Sequence, residues 1–406
     1  MAMGTRRQRQ RQEELWVGTA ALARPASHPL YEQLNQLLEE YQFDEFVESV
    51  CGRFYAETLG RPGLAPGIYF RLLMVGYFEG IDSERGIAWR AADSLGIRAF
   101  LRIALDETVP DHSTISRTRR LLDMETHELV FVWLLEMLAE HGLVRGRTMG
   151  IDATTLEANA ALRSIVRRDT GESYEEFLRG LAKESGIETP TRAQLGKLDK
   201  KRANKGSNKE WMHPHDPDAR IAKMKDESTH LAHKAEHAVD MESGAVVAIT
   251  VQAADAGDTS TVQQTLAQAN EHLEIIAEIL QQEGAPPTNV ETPSEVVSDK
   301  GYHSRGVVRE LTEDGIRTYV SEPERERQRW EGQRAEQAAV YANRRRVRGE
   351  RGKRFQRQRG EKLERSMAHL YGTGRMRRVH LRGHSNILKR LLTHACLEER
   401  IAHRSG

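Results

Sequence analysis

The sequence predicts an α/β protein in which a mixed sheet with flanking helices and an insertion follows an all-helical N-terminal domain. Two observations favour this class. Apolar residues recur at helical spacing up to about residue 145, whereas from Arg147 onward short strand-like runs alternate with amphipathic helical patterns. The predicted order after Arg147 is strand, hairpin, helix, strand, helix, strand and long helix. A mixed sheet with helices on its faces satisfies that order.

The N-terminal part is expected to form a series of helices. Apolar residues at helical spacing begin at Leu30, and an apolar helix from Ile68 to Tyr77 follows two prolines. Pro110 opens a loop and N-cap that precede another helix. The last helix of this part is expected to end at Gly142. Its predicted core positions are Leu129, Val132, Leu134, Leu135 and Leu138.

Strand patterns begin at Thr148, and a polar, Lys-rich insertion at residues 165–228 interrupts them. The insertion is expected to be partly helical and partly mobile. The later elements are predicted as a hairpin of residues 230–239 and 246–251, a helix at 259–282, a strand at 295–299, a helix at 304–313, a strand at 316–320 and basic helices beyond residue 322.

Charge is balanced over the whole chain but segregated along it. The 60 Lys and Arg residues equal the 60 Asp and Glu residues. Nevertheless, the segment from Asn343 to Arg390 holds 17 Lys and Arg against three Glu. A second basic stretch runs from Lys197 to Lys209. Such segregation is typical of a polyanion-binding surface, and the alternative is a solvated helix face.

The composition excludes several other classes. The two cysteines, Cys51 and Cys396, are too few for a disulfide framework or a thiolate metal site, and they fit a reducing cytoplasm. The apolar run that starts at Phe131 is too short to cross a bilayer. Acidic residues rather than an apolar stretch follow the N-terminal arginines, so no signal peptide is expected.

Three acidic residues occupy positions that suggest metal chemistry. Asp152 lies within the first strand, Asp299 ends a later strand, and Glu364 lies on a C-terminal helix. A carboxylate buried in a strand is costly unless a cation accompanies it, and Mg²⁺ relieves the repulsion between two such groups. Two metal ions can activate the attacking oxygen of a phosphodiester reaction and stabilise the leaving oxygen. The alternative is that the aspartates are caps and turn formers.

These residues lie within short sequence words that together resemble a known family. The catalytic words are Gly150-Ile-Asp-Ala-Thr, His237-Ala-Val-Asp, Ser298-Asp-Lys-Gly-Tyr and Leu363-Glu-Arg-Ser-Met. The N-terminal words are Gly60-Arg-Pro, Pro66 with the apolar helix after it, and Pro110-Asp-His-Ser-Thr-Ile-Ser. From about residue 28 to 395, the chain resembles bacterial insertion-sequence DDE transposases with an InsH-like helical N-terminal domain.

The resemblance implies an RNase H-like fold and a DNA transposase. Asp152, Asp299 and Glu364 would be the metal ligands, with Asp152 between two Mg²⁺ ions, for which Mn²⁺ would substitute. A water would nick DNA at the element end, and the freed 3′-hydroxyl would attack target DNA. Members of the family often carry an arginine at a fixed spacing before the third carboxylate. Arg357 stands four residues before Glu361, whereas Gly360 stands four residues before Glu364, so Glu361 is the alternative third carboxylate. The Glu-Arg-Ser-Met word favours Glu364.

Several basic residues and one tyrosine are candidates for contacts with double-stranded DNA, both the terminal inverted repeats and the target. The candidates are Arg117, Arg119, Arg120, Lys200, Lys201, Arg202, Lys300, Tyr302, Arg344, Arg345, Arg346, Arg357, Arg359, Arg365, Arg375, Arg377 and Arg378. An alternative for Tyr302 is an aromatic anchor beside a helix.

The domain organisation and partners complete the expectation. We predict a basic tail at residues 1–27, a helical DNA-binding or dimerisation domain at 28–145, a catalytic domain at 146–395 and a C-terminal tail at 396–406. Because two DNA ends must be held together, we expect a homodimer. We expect no membrane association and a location in the bacterial cytoplasm, at the nucleoid when DNA is bound. The alternative function is a catalytically inactive, transposase-derived DNA-binding protein.

Overall fold

The computed structural model describes residues 29–56, 63–202, 206–224, 226–282, 290–324 and 329–404. Seven helices precede the first strand in these ranges. They are α1 (Pro29–Glu40), α2 (Phe43–Cys51), α3 (Pro66–Phe78), α4 (Glu84–Ala92), α5 (Leu95–Phe100), α6 (His112–Leu121) and α7 (Met124–Glu140). The N-cap expected after Pro110 is Asp111, whose side chain accepts a hydrogen bond from the Thr114 amide, so α6 already begins at His112.

The remaining elements build a sheet with an insertion and flanking helices. In chain order they are β1 (Thr148–Glu157), β2 (Val166–Arg167), α8 (Tyr174–Glu184), α9 (Arg192–Lys201), β3 (Trp211–Met212), β4 (Arg220–Lys223), β5 (Thr229–Asp240), β6 (Val246–Ala253), α10 (Asp258–Gln282), β7 (Glu295–Ser298), α11 (Arg305–Glu313), β8 (Arg317–Val320), α12 (Arg334–Arg348), α13 (Glu350–Ala368), a π-helical turn (His369–Thr373) and α14 (His384–Arg404). The predicted hairpin, helices and strands of this part are confirmed.

The main sheet is mixed. The strands lie in the order β6, β5, β1, β7 and β8, and β4 pairs with the first residues of β5. Strand β5 is antiparallel to β1 and β6, whereas β1, β7 and β8 are parallel to one another. The α/β class with a mixed sheet is therefore confirmed. Because β5 is buried over ten of its twelve residues, polar side chains on it must find partners inside the protein.

The helical N-terminal part and the sheet share one hydrophobic core, which runs from Tyr31 to Ala395. Helix α14 joins the two parts, because it packs on α3, α7 and β6. On α14, Lys389 donates to the backbone carbonyls of Arg119 and Leu122 at 3.0 and 2.6 Å. The domain boundaries stay a prediction. No helix within the described ranges combines the length and hydropathy needed to cross a membrane.

One predicted core position is wrong. Leu129 on α7 is 39% exposed, whereas Val132, Leu134, Leu135 and Leu138 are buried. Helix α7 is buried around most of its circumference, so its apolar residues do not reveal by spacing which one faces outward. The predicted end of this helix is confirmed, because Gly142 has a φ of 69°, the left-handed conformation that favours glycine after a helix.

Candidate active site

Asp152 and Asp299 lie side by side because β1 and β7 are paired in parallel. The register pairs Ile151 with Ser298, and Asp152 and Asp299 are the residues that directly follow these two. Paired strands are about 4.8 Å apart, and side chains alternate between the two faces of a sheet. The two aspartates that the sequence singles out are therefore neighbours, where the end of β7 lies beside the middle of β1.

The turn after β7 brings another acid close to Asp299. Asp299 accepts a hydrogen bond from the Gly301 amide at 2.7 Å and caps the 3-10 turn Lys300–Tyr302. A Cβ placed on Gly301 would stand 2.6 Å from Asp258 Oδ2 and 3.0 Å from Asp299 Oδ1. Because glycine has no side chain, the carboxylates of Asp258 and Asp299 can approach the same point.

A buried polar network centred on Glu236 supports this turn. Glu236 is fully buried on β5 and accepts hydrogen bonds from Tyr302 Oη at 2.9 Å and Thr261 Oγ1 at 2.7 Å. Lys234 Nζ lies 3.5 Å from Glu236 and 2.6 Å from Asp258. Burial first, and then the neighbouring carboxylates, raise the pKa of Tyr302. Its hydroxyl therefore remains protonated and acts as a donor.

Replacing Tyr302 with Phe is expected to lower the free energy of unfolding by about 2 kcal/mol, because a buried carboxylate loses a hydrogen-bond donor. Urea denaturation followed by circular dichroism measures this difference. The matched control is Tyr341→Phe, at a tyrosine that is 39% exposed, and it should change stability by less than about 0.5 kcal/mol. Equal stability of both variants and the wild type would contradict a supporting role for the network.

Helix α13 crosses strands β1, β7 and β8. The Gln356 amide donates to a backbone carbonyl of β8 at 2.7 Å. Nearly one turn later, Arg359 Nη1 lies 3.2 Å from Asp152 Oδ2. Leu363 packs over Gly150, where a Cβ would stand only 2.5 Å from Leu363 Cδ1. Gly150 thus permits the close approach that places the sheet-facing side of α13 against Asp152.

The positively charged group beside Asp152 is the guanidinium of Arg359. The Arg359 and Asp152 side chains are 19% and 21% exposed. Among the residues that the structure describes, no three His, Cys, Asp or Glu side chains are arranged to hold a metal ion. Carboxylate oxygens are ligands that hard divalent cations take, and Arg359 shows that a positive charge is stabilised at this position. The carboxylate oxygens of Asp152 and Asp299 therefore fit a divalent cation.

Glu364 and Glu361 are both exposed on α13, and among the described residues neither joins Asp152 and Asp299 in a cluster that could hold a metal ion. Successive helical residues are about 100° apart, so Glu364 stands about 100° from the sheet-facing Leu363 and Glu361 about 160° from it. Glu364 Oε1 is 3.8 Å from a Cβ placed on Gly360. The Glu364 carboxylate therefore leans back along the helix, toward the turn that carries Arg359.

Most of the residues expected to contact DNA have exposed side chains. They are Arg117, Arg120, Lys200, Lys201, Lys300, Arg345, Arg357, Arg365, Arg375, Arg377 and Arg378. Three of these arginines, Arg375, Arg377 and Arg378, follow the π-helical turn closely. These exposed cations are the best candidates for phosphate contacts, although Arg378 Nε also lies 3.6 Å from Glu157 Oε1.

The other expected DNA contacts have partners inside the protein, which differs from the expectation that their side chains face DNA. The internal partners are Glu84 and Asn386 for Arg119, Asp199 for Arg202, Glu322 for Arg344, Thr318 for Arg346, Asp152 for Arg359 and Glu236 for Tyr302. Tyr302 is 1% exposed, which matches the alternative of an aromatic anchor. A DNA contact by one of these arginines would have to use N–H donors that the internal contact leaves over, or replace that contact.

Sequence reasoning missed Lys234 and Glu236 as neighbours of the site. The available signal was two charged residues at alternating positions within a predicted strand, which places both on one face. The opposite face of β5 carries His237, which pairs with Asp152 in the register. Burial lowers the pKa of His237 to about 3, so this imidazole is neutral and adds no charge beside Asp152.

Two family models match the chain. The model described as Transposase domain (DUF772) matches residues 21–121. The model described as Transposase DDE domain matches residues 185–397, just over half of the chain. No curated protein matches the sequence. The second match includes β5 to β8 and helix α13, and thus Asp299 and Glu364, whereas Asp152 lies before its first residue.

Proposed function

Because this chain belongs to the insertion-sequence DDE transposases, we propose that it binds the ends of its own element and catalyses metal-dependent cleavage and strand transfer of DNA. The alternative is a catalytically inactive, transposase-derived DNA-binding protein. We further propose that the sheet is RNase H-like, which its strand order and the antiparallel placement of β5 support.

The observation that carries the proposal is the placement of Asp152 and Asp299 next to each other beneath helix α13. Two carboxylates on neighbouring parallel strand segments repel each other unless positive charge lies between or beside them. The same helix that crosses these strands carries Glu364. This arrangement supports the assignment of Asp152, Asp299 and Glu364 as the catalytic carboxylates.

Transposase DDE domains use divalent metal ions, and we propose Mg²⁺ here, with Mn²⁺ as a substitute. Asp152, Asp299 and Glu364 would hold the ions. When bound, such ions lower the pKa of a coordinated water and stabilise charge on the attacking and leaving oxygens. Lys234, which already neutralises Asp258 at 2.6 Å, would keep that neighbouring acid from adding to the negative charge.

The proposed reaction has two steps on DNA. In the first, a water oxygen bonds to the phosphorus and the 3′-oxygen leaves, which produces a 3′-hydroxyl and a 5′-phosphate. In the second, that 3′-hydroxyl bonds to a target phosphorus and the target's own 3′-oxygen leaves with the proton. The exposed Lys300 directly follows Asp299, so we assign it to the scissile phosphate region.

The DNA backbone would lie along the exposed cations of α12, α13 and the segment after the π-helical turn, where Arg345, Arg357 and Arg377 are exposed. Phosphate contacts position DNA and make its binding dependent on salt. We propose a homodimer as the synaptic form, because two element ends must be held together, and a cytoplasmic, nucleoid-associated location.

The experiment that tests this function incubates the full chain with labelled duplex DNA that carries the gene's own flanking ends. Cut and joined products are expected with Mg²⁺ or Mn²⁺, and none when both ions are chelated. Binding of the ends without cleavage under all these conditions would favour the inactive DNA-binding alternative.

A further inference from the structure

The contact between Arg359 and Asp152 links the helix of the candidate third carboxylate to the first carboxylate. Arg359 Nη1 is 3.2 Å from Asp152 Oδ2, and the Asp152 Oδ1 atom accepts a hydrogen bond from the Ala153 amide at 2.9 Å. Both oxygens of Asp152 therefore have a donor. An ion that bound Oδ2 would stand close to the positive charge of the guanidinium, which disfavours binding unless Arg359 moves.

The guanidinium of Arg359 is not fully satisfied in this position. Its Nε is buried and has no hydrogen-bond partner among the described residues. A guanidinium offers five N–H donors, and a buried donor without an acceptor costs free energy. The chain thus holds a partly unpaired cation at the place where a phosphodiester would have to lie for Asp152 to act on it. A phosphate supplies the acceptor oxygens that this guanidinium lacks.

We propose that Arg359 is an internal cation that exchanges partners: it pairs with Asp152 until a divalent ion binds, and then donates to a DNA phosphate. The inference rests on the proposed function, because it takes Asp152 as a metal ligand. It adds a coupling between ion binding and DNA binding. The Arg359–Asp152 contact lowers the affinity for the ion, and DNA restores that affinity when its phosphate binds Arg359. Because coupling between two ligands is reciprocal, the bound ion raises the affinity for DNA by the same factor.

The first test measures Mn²⁺ binding to the full chain without DNA by electron paramagnetic resonance. Arg359→Gln removes the competing charge while it keeps a polar side chain, and Mn²⁺ should bind about tenfold more tightly, equivalent to about 1.4 kcal/mol. Arg354→Gln is the matched control, because Arg354 is an exposed arginine of the same helix and should leave Mn²⁺ affinity unchanged. Unchanged or weaker Mn²⁺ binding by Arg359→Gln would overturn the proposal.

A second test measures DNA affinity with Ca²⁺, another cation that takes oxygen ligands, and with chelator. Arg359→Gln should weaken DNA binding about tenfold with Ca²⁺, the size of a lost charge-assisted hydrogen bond, and by much less with chelator, where Asp152 retains the arginine. A purely structural role of Arg359 would weaken binding equally in both conditions, and that result would overturn the exchange of partners.

Asp299→Asn separates this inference from the function on which it rests. If Asp299→Asn weakens Mn²⁺ binding but Arg359→Gln does not tighten it, the metal site stands and the exchange of partners is wrong. If the wild type and both variants bind no Mn²⁺ while they keep their thermal unfolding transitions, the metal site and the exchange are both overturned. Tighter binding by Arg359→Gln together with weaker binding by Asp299→Asn supports both.

Discussion

Asp299→Asn is expected to reduce DNA cleavage at least about a thousandfold, because the amide keeps the shape of the side chain but loses the negative charge that a divalent ion requires. In this structure the substitution is expected to remove the charge of the side chain without removing its capping hydrogen bond. Asp299 caps the turn after β7 by accepting the Gly301 amide hydrogen, and asparagine accepts the same hydrogen bond in that position. The variant should therefore fold as the wild type does.

The measurement compares cleavage of labelled element ends by the wild type, Asp299→Asn and a matched control. Asp314→Asn is that control, because Asp314 is an exposed aspartate that ends helix α11. Thermal unfolding checks that each variant folds. Retention of more than about one tenth of the wild-type cleavage rate by Asp299→Asn would contradict a metal-binding role for this carboxylate.

Glu364→Gln is expected to reduce cleavage by a similar factor, whereas Glu361→Gln should leave it within about twofold of the wild type. The two glutamates lie three residues apart on α13, and both are exposed. Their orientations differ, because Glu364 leans back over Gly360 whereas Glu361 points away from the sheet. Around the helix, Glu364 lies nearer than Glu361 to the sheet-facing Leu363, which supports Glu364 as the third carboxylate.

Each of these two glutamate variants serves as the control for the other. The change is chemically identical, both sites are exposed, and neither substitution should alter the stability of α13 by more than about 0.5 kcal/mol. The same cleavage assay measures both. Loss of cleavage in Glu361→Gln with normal cleavage in Glu364→Gln would reverse the assignment of the third carboxylate.

The sequence predicts the order of the elements from local rules, because alternation marks the strands and helical spacing marks the helices between them. The adjacency of Asp152 and Asp299 was expected only from the family resemblance, because the insertion, the hairpin and α10 separate β1 from β7 in the chain. The capping role of Asp299 and that of Asp111 are also local, because each side chain bonds an amide two or three residues later. Hydrogen bonds between residues this close in the chain can be predicted from sequence spacing alone.

The partner of Asp152 was not predictable in the same way. Arg359 is 207 residues away along the chain, and its contact depends on how α13 crosses the sheet. That crossing depends in turn on the packing of Leu363 against Gly150. A run of arginines on a helix suggests DNA contacts, but charge counting does not distinguish an exposed Arg357 from an Arg359 that turns inward.

Buried polar groups were missed for a related reason. Lys234 and Glu236 lie in a strand that is covered on both faces, where charged residues are uncommon. Their charges are tolerated because Thr261, Tyr302 and Asp258 supply partners from other elements. The spacing of Lys234 and Glu236 shows that they share a face, but the identity of their partners requires the fold.

The most direct test of the metal site is anomalous X-ray scattering from a crystal of the full chain soaked in Mn²⁺. The account predicts an anomalous peak within coordination distance of oxygens of Asp152 and Asp299, and an Arg359 guanidinium displaced from Asp152. An ion bound elsewhere, with Asp152 still paired to Arg359 in a protein that cleaves DNA, would contradict the assignment of these carboxylates.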